Sequence, residues 1–169
     1  LIYYGFNDNN EWIAKNIVLN EKGSSFDVYH YDELIGSFNL PFYGKHMVLN
    51  ALAVISVCYY ERMDAKEVAK NLKTFAGAER RFAEEKIGDA IIVDDYAHHP
   101  TEVKTVIRAA KQKYPDKKVI AVFQPHTFSR TKAFSEDLVK YLSQADAAYL
   151  LDIFPAREKQ EDYENVTSN

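Results

Sequence analysis

The sequence predicts an α/β protein built from two parts, and three observations support this prediction. Short strand-forming segments separated by turn residues occupy the chain up to about residue 40. The apolar residues then take a helical spacing between about residues 46 and 75. From residue 90 onwards, short apolar runs alternate with amphipathic helices, which is typical of a parallel sheet with crossover helices.

The first part is predicted to contain three strands followed by two helices. Strand-forming residues lie at residues 1–5, 24–31 and 35–40. The apolar spacing predicts helices at about residues 46–62 and 64–75. Asp64 is the predicted N-cap of the second helix, and Gly77 is expected to end it.

The second part is predicted to alternate strands with helices. Continuous apolar runs predict buried strands at residues 90–94 and 119–123 and a third strand at residues 147–153. Pro100 is expected at the first position of one helix, and a second helix is predicted at residues 129–143. We expect residues 83–153 to form one parallel sheet, and the carboxyl ends of its strands would then bring three loops to one edge.

The composition is that of a soluble globular protein. Of the 169 residues, 47% are apolar and 27% charged, and the formal net charge is −4. This balance argues against a disordered chain and against binding of nucleic acid or an anionic membrane. The longest apolar stretch, residues 51–60, is too short for a membrane span.

The single Cys58 cannot form an internal disulfide, which fits a reducing cytoplasm. The chain starts at Leu1 and not at a Met followed by a basic segment, so we expect no signal peptide. We also expect the chain to be a piece of a longer protein.

Chemistry-bearing residues concentrate in the three loops that the sheet would bring together. The loops span residues 94–100, 124–130 and 155–159, and they hold three of the five histidines. For Asp94 and Asp95, one alternative is that they only cap the helix at Pro100 and have no other role. His98 and His99 could bind a metal, although adjacent side chains point in different directions. His126 could contact substrate or only hydrogen-bond within its loop.

Basic and polar residues supply further candidates for ligand binding. Arg130 stands in the first turn of a helix, against the helix dipole, which favours the binding of an anion. The run Arg80–Phe82 could clamp a phosphate or carboxylate, or form a solvated linker. His46 and Asn50 share one helix face and could hold a base edge or only pack. The phosphate-loop pattern G-x-x-x-x-G-K-[ST] does not occur in the chain.

Four segments of the sequence resemble one known family. They are DDYAHHPTE at residues 94–102, FQPHTFSRT at 123–131, RRF at 80–82 and GKHMVLNALA at 44–53. Together they resemble the Mur ligases, and the resemblance covers nearly the whole chain. The double histidine and the PHTFSR loop are more like the member that joins L-alanine to UDP-N-acetylmuramate than the later ligases that add glutamate or a diamino acid.

The resemblance implies two incomplete domains. Residues 1–78 would be the C-terminal part of a central ATP-binding domain with a mixed sheet. Residues 79–169 would be the N-terminal part of a Rossmann-like C-terminal ligase domain with a parallel sheet. The phosphate loop and the Mg²⁺ ligands would lie upstream, so we expect the chain to be inactive on its own.

The implied reaction is ATP-dependent amide formation in cytoplasmic peptidoglycan precursor synthesis. The carboxylate of UDP-N-acetylmuramate would attack the γ-phosphate of ATP, and the amine of L-alanine would then displace phosphate from the acyl phosphate. Phosphoryl transfer of this kind depends mainly on positioning and charge stabilisation. By resemblance, His98, His126 and Arg130 would face the amino-acid end, with Arg130 pairing with a carboxylate.

The resemblance also assigns residues to the nucleotide. His46 and Asn50 would lie at the adenine, Arg81 at the phosphates and Asp95 at the ribose. Met47 stands where the family usually has asparagine, and a thioether cannot supply the donors and acceptor of an amide.

Two other classes of function stay open at this point. One is a metal-dependent phosphoesterase that uses Asp94, Asp95, His98 and His99. It needs further ligands from other strands, and the third predicted strand offers only Asp152. The other is a non-catalytic nucleotide-binding module.

Overall fold

The computed structural model describes residues 1–78 and 80–168, which fold into two compact units. Unit 1 comprises Leu1–Ala78 and Gln112–Pro115, and unit 2 comprises the rest of the described chain. Both units contain strands and helices, so the predicted α/β class is confirmed. Among the described residues, no helix is long and apolar enough to cross a membrane.

A four-stranded sheet is the framework of unit 1. Its strands are β1 (Tyr4–Gly5), β2 (Trp12–Asn20), β3 (Gly23–His30) and β4 (Glu33–Leu40), in that order across the sheet. β1 and β2 are parallel, and the other pairs are antiparallel. Strands β3 and β4 lie where the sequence predicts them, whereas β2 lies in a segment without a predicted strand. Its first three residues are all buried, and a bulge between Lys15 and Val18, with Asn16 at φ 52°, follows them, so the strand lacks a regular polar–apolar alternation.

Two helices complete unit 1, as predicted. They are α1 (Lys45–Tyr60) and α2 (Ala65–Thr74). The predicted N-cap is confirmed, because the Asp64 carboxylate accepts hydrogen bonds from the backbone N–H of Lys66 and Glu67, both at 3.0 Å. The predicted stop at Gly77 is wrong, because the extended backbone of Phe75 already ends α2. The largest side chains buried in the core of this unit are Trp12, Phe26, Phe38 and Leu52.

Unit 2 contains a hairpin, two helices and a pair of parallel strands. In chain order these are β5 (Ala83–Ile87), β6 (Ala90–Asp94), α3 (Pro100–Lys113), β7 (Ile120–Phe123), α4 (Phe128–Leu142) and β8 (Ala147–Leu150), followed by a 3-10 turn at Gln160–Asp162. Both helices match their predictions. The main hydrophobic cluster joins α3, β7 and α4 through Val103, Ile107, Phe123, Leu138 and Leu142.

The prediction of one parallel sheet over residues 83–153 is wrong in its first part. β7 and β8 are parallel, but β6 pairs along its whole length with β5 in an antiparallel hairpin. Gly88, at φ 60°, allows the two-residue turn between them, and Gly-Asp at such a position is a hairpin signal. The prediction of buried strands is also wrong, because burial alternates along β6 and only Phe123 of β7 is buried.

Candidate functional site

Asp95 ties the end of β6 to the turn that carries the two arginines. Its Oδ2 accepts a hydrogen bond from the backbone N–H of Phe82, and its Oδ1 accepts one from Ala97, both at 2.9 Å. The backbone N–H of Tyr96 donates to the carbonyl of Arg80 at 3.1 Å. A carboxylate has about four lone-pair positions, so both oxygens of Asp95 can accept one further hydrogen bond each.

The two neighbouring arginines differ in how they are engaged. The guanidinium of Arg80 lies 4.8 Å from the centre of the Tyr96 ring, and its Nε is 4.0 Å from Asp94. The side chain of Arg81 is exposed and has no ion pair or hydrogen bond within residues 1–78 and 80–168. Arg81 is therefore the arginine whose planar fork remains available for an anion.

His98 and His99 are adjacent but have different surroundings. The Nδ1 of His98 is 3.0 Å from the carbonyl oxygen of Tyr96 and 3.5 Å from the Glu102 carboxylate. The His99 ring packs edge-on against Phe134 at 4.8 Å, and its Nδ1 accepts the backbone N–H of Thr101 at 3.3 Å. His99 thus serves the start of α3, whereas His98 belongs to the loop.

Glu102 joins these histidines from the first turn of α3. Its Oε2 accepts the backbone N–H of His98 at 3.0 Å and of His99 at 3.1 Å. Burial raises the pKa of Glu102, but the two N–H donors and the charges of His98 and Arg81 lower it further, so the net pKa is below its ordinary value. The carboxylate is therefore ionised at neutral pH.

His126 lies where the loops after β6, β7 and β8 meet. Its ring is 6.4 Å from the His98 ring and 5.6 Å from the Phe154 ring, between ring centres. Its backbone pairs with Phe154, and flanking hydrogen bonds run from Thr127 N–H to Phe154 O and from Phe154 N–H to Pro125 O, both at 2.8 Å. The Nδ1 of His126 is buried and has no hydrogen-bond partner among the described residues.

A carboxylate from the third loop meets the start of α4. Glu158 accepts the backbone N–H of Ser129 at 2.9 Å and also the Ser129 hydroxyl. The Ser129 hydroxyl, the N–H groups of Ser129 and Phe128 and the nearby His126 lower the pKa of Glu158, against a smaller raising effect of burial. The three predicted loops therefore do converge, although they do not leave one common parallel sheet.

Arg130 follows directly in the first turn of α4. Thr127 is the N-cap, and its Oγ1 accepts the backbone N–H of Arg130 at 3.3 Å. The Arg130 side chain is half-buried and forms no ion pair within residues 1–78 and 80–168. Glu158 already supplies a negative charge at this helix end, so the helix dipole alone does not indicate a ligand for Arg130.

His46 and Asn50 lie in unit 1, whereas the other predicted site residues lie in unit 2. Both are in the first turns of α1, which begins after Gly44 at φ 87°. A β-carbon at Gly44 would come within 2.8 Å of the His46 Nδ1, so this position requires glycine. The exposed amide of Asn50 donates to the Met47 sulfur at 3.9 Å.

The described residues contain no group of three or more His, Cys, Asp or Glu side chains placed to hold a metal. The cluster that a metal-dependent phosphoesterase would need from Asp94, Asp95, His98 and His99 is therefore not formed in this part of the chain. Within the described residues, no such group is available to Mg²⁺ either.

Comparison with known proteins identifies the family of the chain. The profile of the Mur ligase glutamate ligase domain matches residues 80–168, and that of the Mur ligase middle domain matches residues 1–58. The chain belongs to the Mur ligase family, as the sequence motifs predict. The chain is 56% identical over 158 residues to the UDP-N-acetylmuramate–L-alanine ligase of Lacticaseibacillus casei, and 48% identical over 168 residues to that of Lactococcus lactis subsp. cremoris.

These alignments cover 93% and 99% of this chain but 36% and 38% of the relatives. The chain thus spans little more than a third of their length. Among solved structures, the UDP-N-acetylmuramate–alanine ligase of Thermotoga maritima matches with a TM-score of 0.79 and 25% identity, over 90% of this chain and 34% of that one. The MurF ligase of Thermotoga maritima in complex with ADP has the same fold, with a TM-score of 0.69 and 20% identity over 96% of this chain and 36% of that one.

Proposed function

We propose that this chain is part of a ligase that joins L-alanine to UDP-N-acetylmuramate at the expense of ATP, in cytoplasmic peptidoglycan precursor synthesis. The observation that carries the proposal is the identity of 48–56% over at least 90% of the chain to relatives with that name. The convergence of three polar loops around His98 and His126 supports it. Residues 1–78 then belong to the central ATP-binding domain and residues 79–169 to the C-terminal ligase domain.

The reaction has two steps. A carboxylate oxygen of UDP-N-acetylmuramate forms a bond to the γ-phosphorus of ATP, and the bond to ADP breaks. The amine of L-alanine then forms the amide bond, phosphate leaves, and the amine loses a proton. Mg²⁺ would stabilise the phosphate charges when bound, and the described residues form no group of three or more metal-ligating side chains to hold it.

Four residues are proposed to bind the nucleotide. His46 and Asn50 present an imidazole and an amide on one face of α1, which suits the edge of an adenine. The unpaired guanidinium of Arg81 suits a phosphate. Asp95 can accept ribose hydroxyls in addition to its two backbone donors, because each oxygen keeps a lone pair.

Three residues are proposed to handle the amino acid. The half-buried guanidinium of Arg130, without an ion pair among the described residues, suits the carboxylate of L-alanine. His98 and His126 lie close enough to act in one site, with ring centres 6.4 Å apart. Imidazole can accept the proton that the amine loses when the amide bond forms.

The test is a hybrid ligase, in which this chain replaces the matching segment of the Lacticaseibacillus casei relative. We expect the hybrid ligase to release phosphate from ATP only when UDP-N-acetylmuramate and L-alanine are both present. D-Glutamate in place of L-alanine is the matched control. A hybrid ligase that folds but uses D-glutamate as well as L-alanine would contradict the proposal.

The chain alone is proposed to be inactive, because its 169 residues contain no phosphate-loop pattern. Phosphate release by the isolated chain with all three substrates and Mg²⁺ should stay at the background rate. Turnover on the order of 1 per second, typical of enzymes, would overturn this expectation.

A further inference from the structure

The contacts of His98 define which of its ring nitrogens carries a proton. A carbonyl oxygen can only accept a hydrogen bond, so the approach of 3.0 Å between the His98 Nδ1 and the Tyr96 carbonyl requires a hydrogen on Nδ1. In the neutral ring, Nε2 then carries the free lone pair. The His98 side chain is about one-third exposed to solvent, so the ring is not deeply buried.

Glu102 reinforces this arrangement in two ways. Its Oε2 lies 3.5 Å from the same Nδ1, and its negative charge favours a hydrogen on that nitrogen. The same oxygen accepts the backbone N–H groups of His98 and His99, so it also fixes the backbone from which the imidazole projects. One carboxylate thus constrains both the orientation of the ring and its tautomer.

We propose that Glu102 is a positioning residue that holds His98 in the Nδ1–H tautomer, so that Nε2 can take the proton from the attacking amine. The proposal rests on the proposed function, which places His98 at the amino-acid end. In the step, the amine nitrogen bonds to the acyl carbon, the carbon–oxygen bond to phosphate breaks, and the proton passes to Nε2. A buried or paired carboxylate that orients an imidazole in this way is a recurring device in enzymes.

The two rings that face the imidazole do not perform this role. The Tyr96 ring contacts it edge-on at 5.4 Å, and the His126 ring is 6.4 Å away. Neither supplies a negative charge at Nδ1. Arg81 contributes a positive charge near Glu102, and Glu102 is the one carboxylate paired with His98 among the described residues.

The first test uses the 169-residue chain and does not depend on catalysis. Two-bond ¹H–¹⁵N correlation spectra report the tautomer of each histidine, and His98→Gln assigns the signals of His98. Glu102→Gln keeps a side-chain acceptor for the helix start but removes the charge and can turn an amide donor towards Nδ1. We expect wild-type His98 to be Nδ1–H, and Glu102→Gln to shift it measurably towards Nε2–H.

Glu158→Gln is the matched control, because it removes the charge of another helix-start carboxylate, at α4, and should leave the His98 tautomer unchanged. If Glu102→Gln melts as the wild type does and leaves the tautomer of His98 unaltered, Glu102 does not position the ring and the proposal is overturned. An Nε2–H tautomer in the wild type would overturn it as well.

The second test uses the hybrid ligase. Glu102→Gln should lower kcat about 10- to 100-fold and leave the KM for ATP unchanged, because the Tyr96 carbonyl still holds part of the ring population. Glu102→Asp, which restores the charge on a shorter stem, should recover part of the loss. A tautomer shift without a change in kcat would show that Glu102 positions His98 but that His98 takes no proton, which refutes the catalytic part. An unmutated hybrid ligase without L-alanine dependence would refute the proposed function separately.

Discussion

Backbone N–H groups at the starts of α3 and α4 both donate to a glutamate carboxylate, but the two carboxylates come from different places in the chain. Both helix ends leave backbone N–H groups without helical partners, and in both a glutamate carboxylate accepts them. At α3 the carboxylate is Glu102, from the first turn of the helix itself. At α4 it is Glu158, which lies 29 residues further along the chain than its partner Ser129. The start of α3 is thus locally encoded, whereas the start of α4 combines its local N-cap, Thr127, with a carboxylate from the loop after β8.

This difference has a consequence for the site. Glu102, the local carboxylate at α3, also lies beside His98. Glu158, the distant carboxylate at α4, connects the loop after β8 to the start of α4. We expect changes at α3 to affect chemistry and helix stability together. Changes at α4 should affect how the loops that carry His126 and Arg130 are held.

The largest effect is expected for Arg130, which directly follows Ser129, the residue that Glu158 contacts. In the hybrid ligase, Arg130→Lys keeps the charge but loses the bidentate fork, so kcat/KM for L-alanine should fall about 10- to 100-fold. The kcat/KM for ATP should change much less, and Arg130→Ala should be worse than Arg130→Lys. Steady-state kinetics with each substrate varied in turn measures the effect.

An equal loss for ATP and L-alanine would reject the assignment of Arg130 to the amino acid. If the side chain only packs its stem against its surroundings, Arg130→Lys should be nearly silent in both assays. Arg130→Ala would then lower the melting temperature without changing the preference between the two substrates.

Stability should separate the two helix starts directly. Glu102→Ala should lower the free energy of unfolding by about 1–2 kcal/mol, because two backbone N–H groups lose a charged, partly exposed acceptor. Glu158→Ala should destabilise the chain less, because its carboxylate is more exposed to water. Urea unfolding followed by circular dichroism measures both, with Glu136→Ala on the exposed face of α4 as the control. A larger loss at Glu158 than at Glu102 would reverse the ranking.

Acid should weaken both helix starts in the same pH range. The pKa values of Glu102 and Glu158 are below the ordinary value of 4.5, so each carboxylate stabilises the fold fully above pH 4.5. That contribution is lost as the pH falls through the lower folded-state pKa. Melting temperatures between pH 7 and pH 3 should fall less steeply below pH 4.5 for Glu102→Gln and Glu158→Gln than for the wild type. Parallel curves for all three proteins would show that these carboxylates do not contribute.

The smallest effect is expected at a third helix start, that of α1. Met47→Asn restores the amide that the family usually has, and one further hydrogen bond should lower the KM for ATP of the hybrid ligase about 2- to 10-fold. Met47 packs against the hydrophobic core of unit 1, so the substitution should also cost roughly 1 kcal/mol of stability. Met47→Leu, which keeps the packing without an amide, is the control. An unchanged KM for Met47→Asn would mean that this position does not contact the nucleotide.

The contrast between α3 and α4 also explains what the sequence could predict. Helices α3 and α4 follow from apolar spacing, and the Asp64 cap follows from residues two and three positions away. Strand β2 is not predicted, because three consecutive buried residues and then a bulge remove the period of two on which a strand prediction relies. The β5–β6 hairpin has a Gly-Asp turn signal at residues 88–89, which the prediction of one parallel sheet does not use.

The candidate site shows the same limit. Its loops could be predicted because strand ends and histidine-rich motifs are local patterns, and the family motifs mark the same residues. The contact of Glu158 with Ser129 could not be predicted, because no spacing rule joins residues so far apart in the chain. The role of Glu102 at His98 depends on one ring nitrogen lying 3.5 Å from one oxygen, which no sequence pattern specifies.

The pairing of His126 with Phe154 has a consequence for the time scale of motion in the site. Beyond β7 and β8, hydrogen bonds from Leu151 to Phe123 and between Thr127 and Phe154 continue the ladder into the loops. The amide hydrogens of Thr127, Leu151 and Phe154 should therefore exchange with solvent as slowly as those of the strands, since they become accessible only when the strand pair opens. In the proposed ligase, substrate would then meet a backbone at His126 that is already fixed, and the adjustments left to binding would include rotations of exposed side chains on the picosecond-to-nanosecond scale.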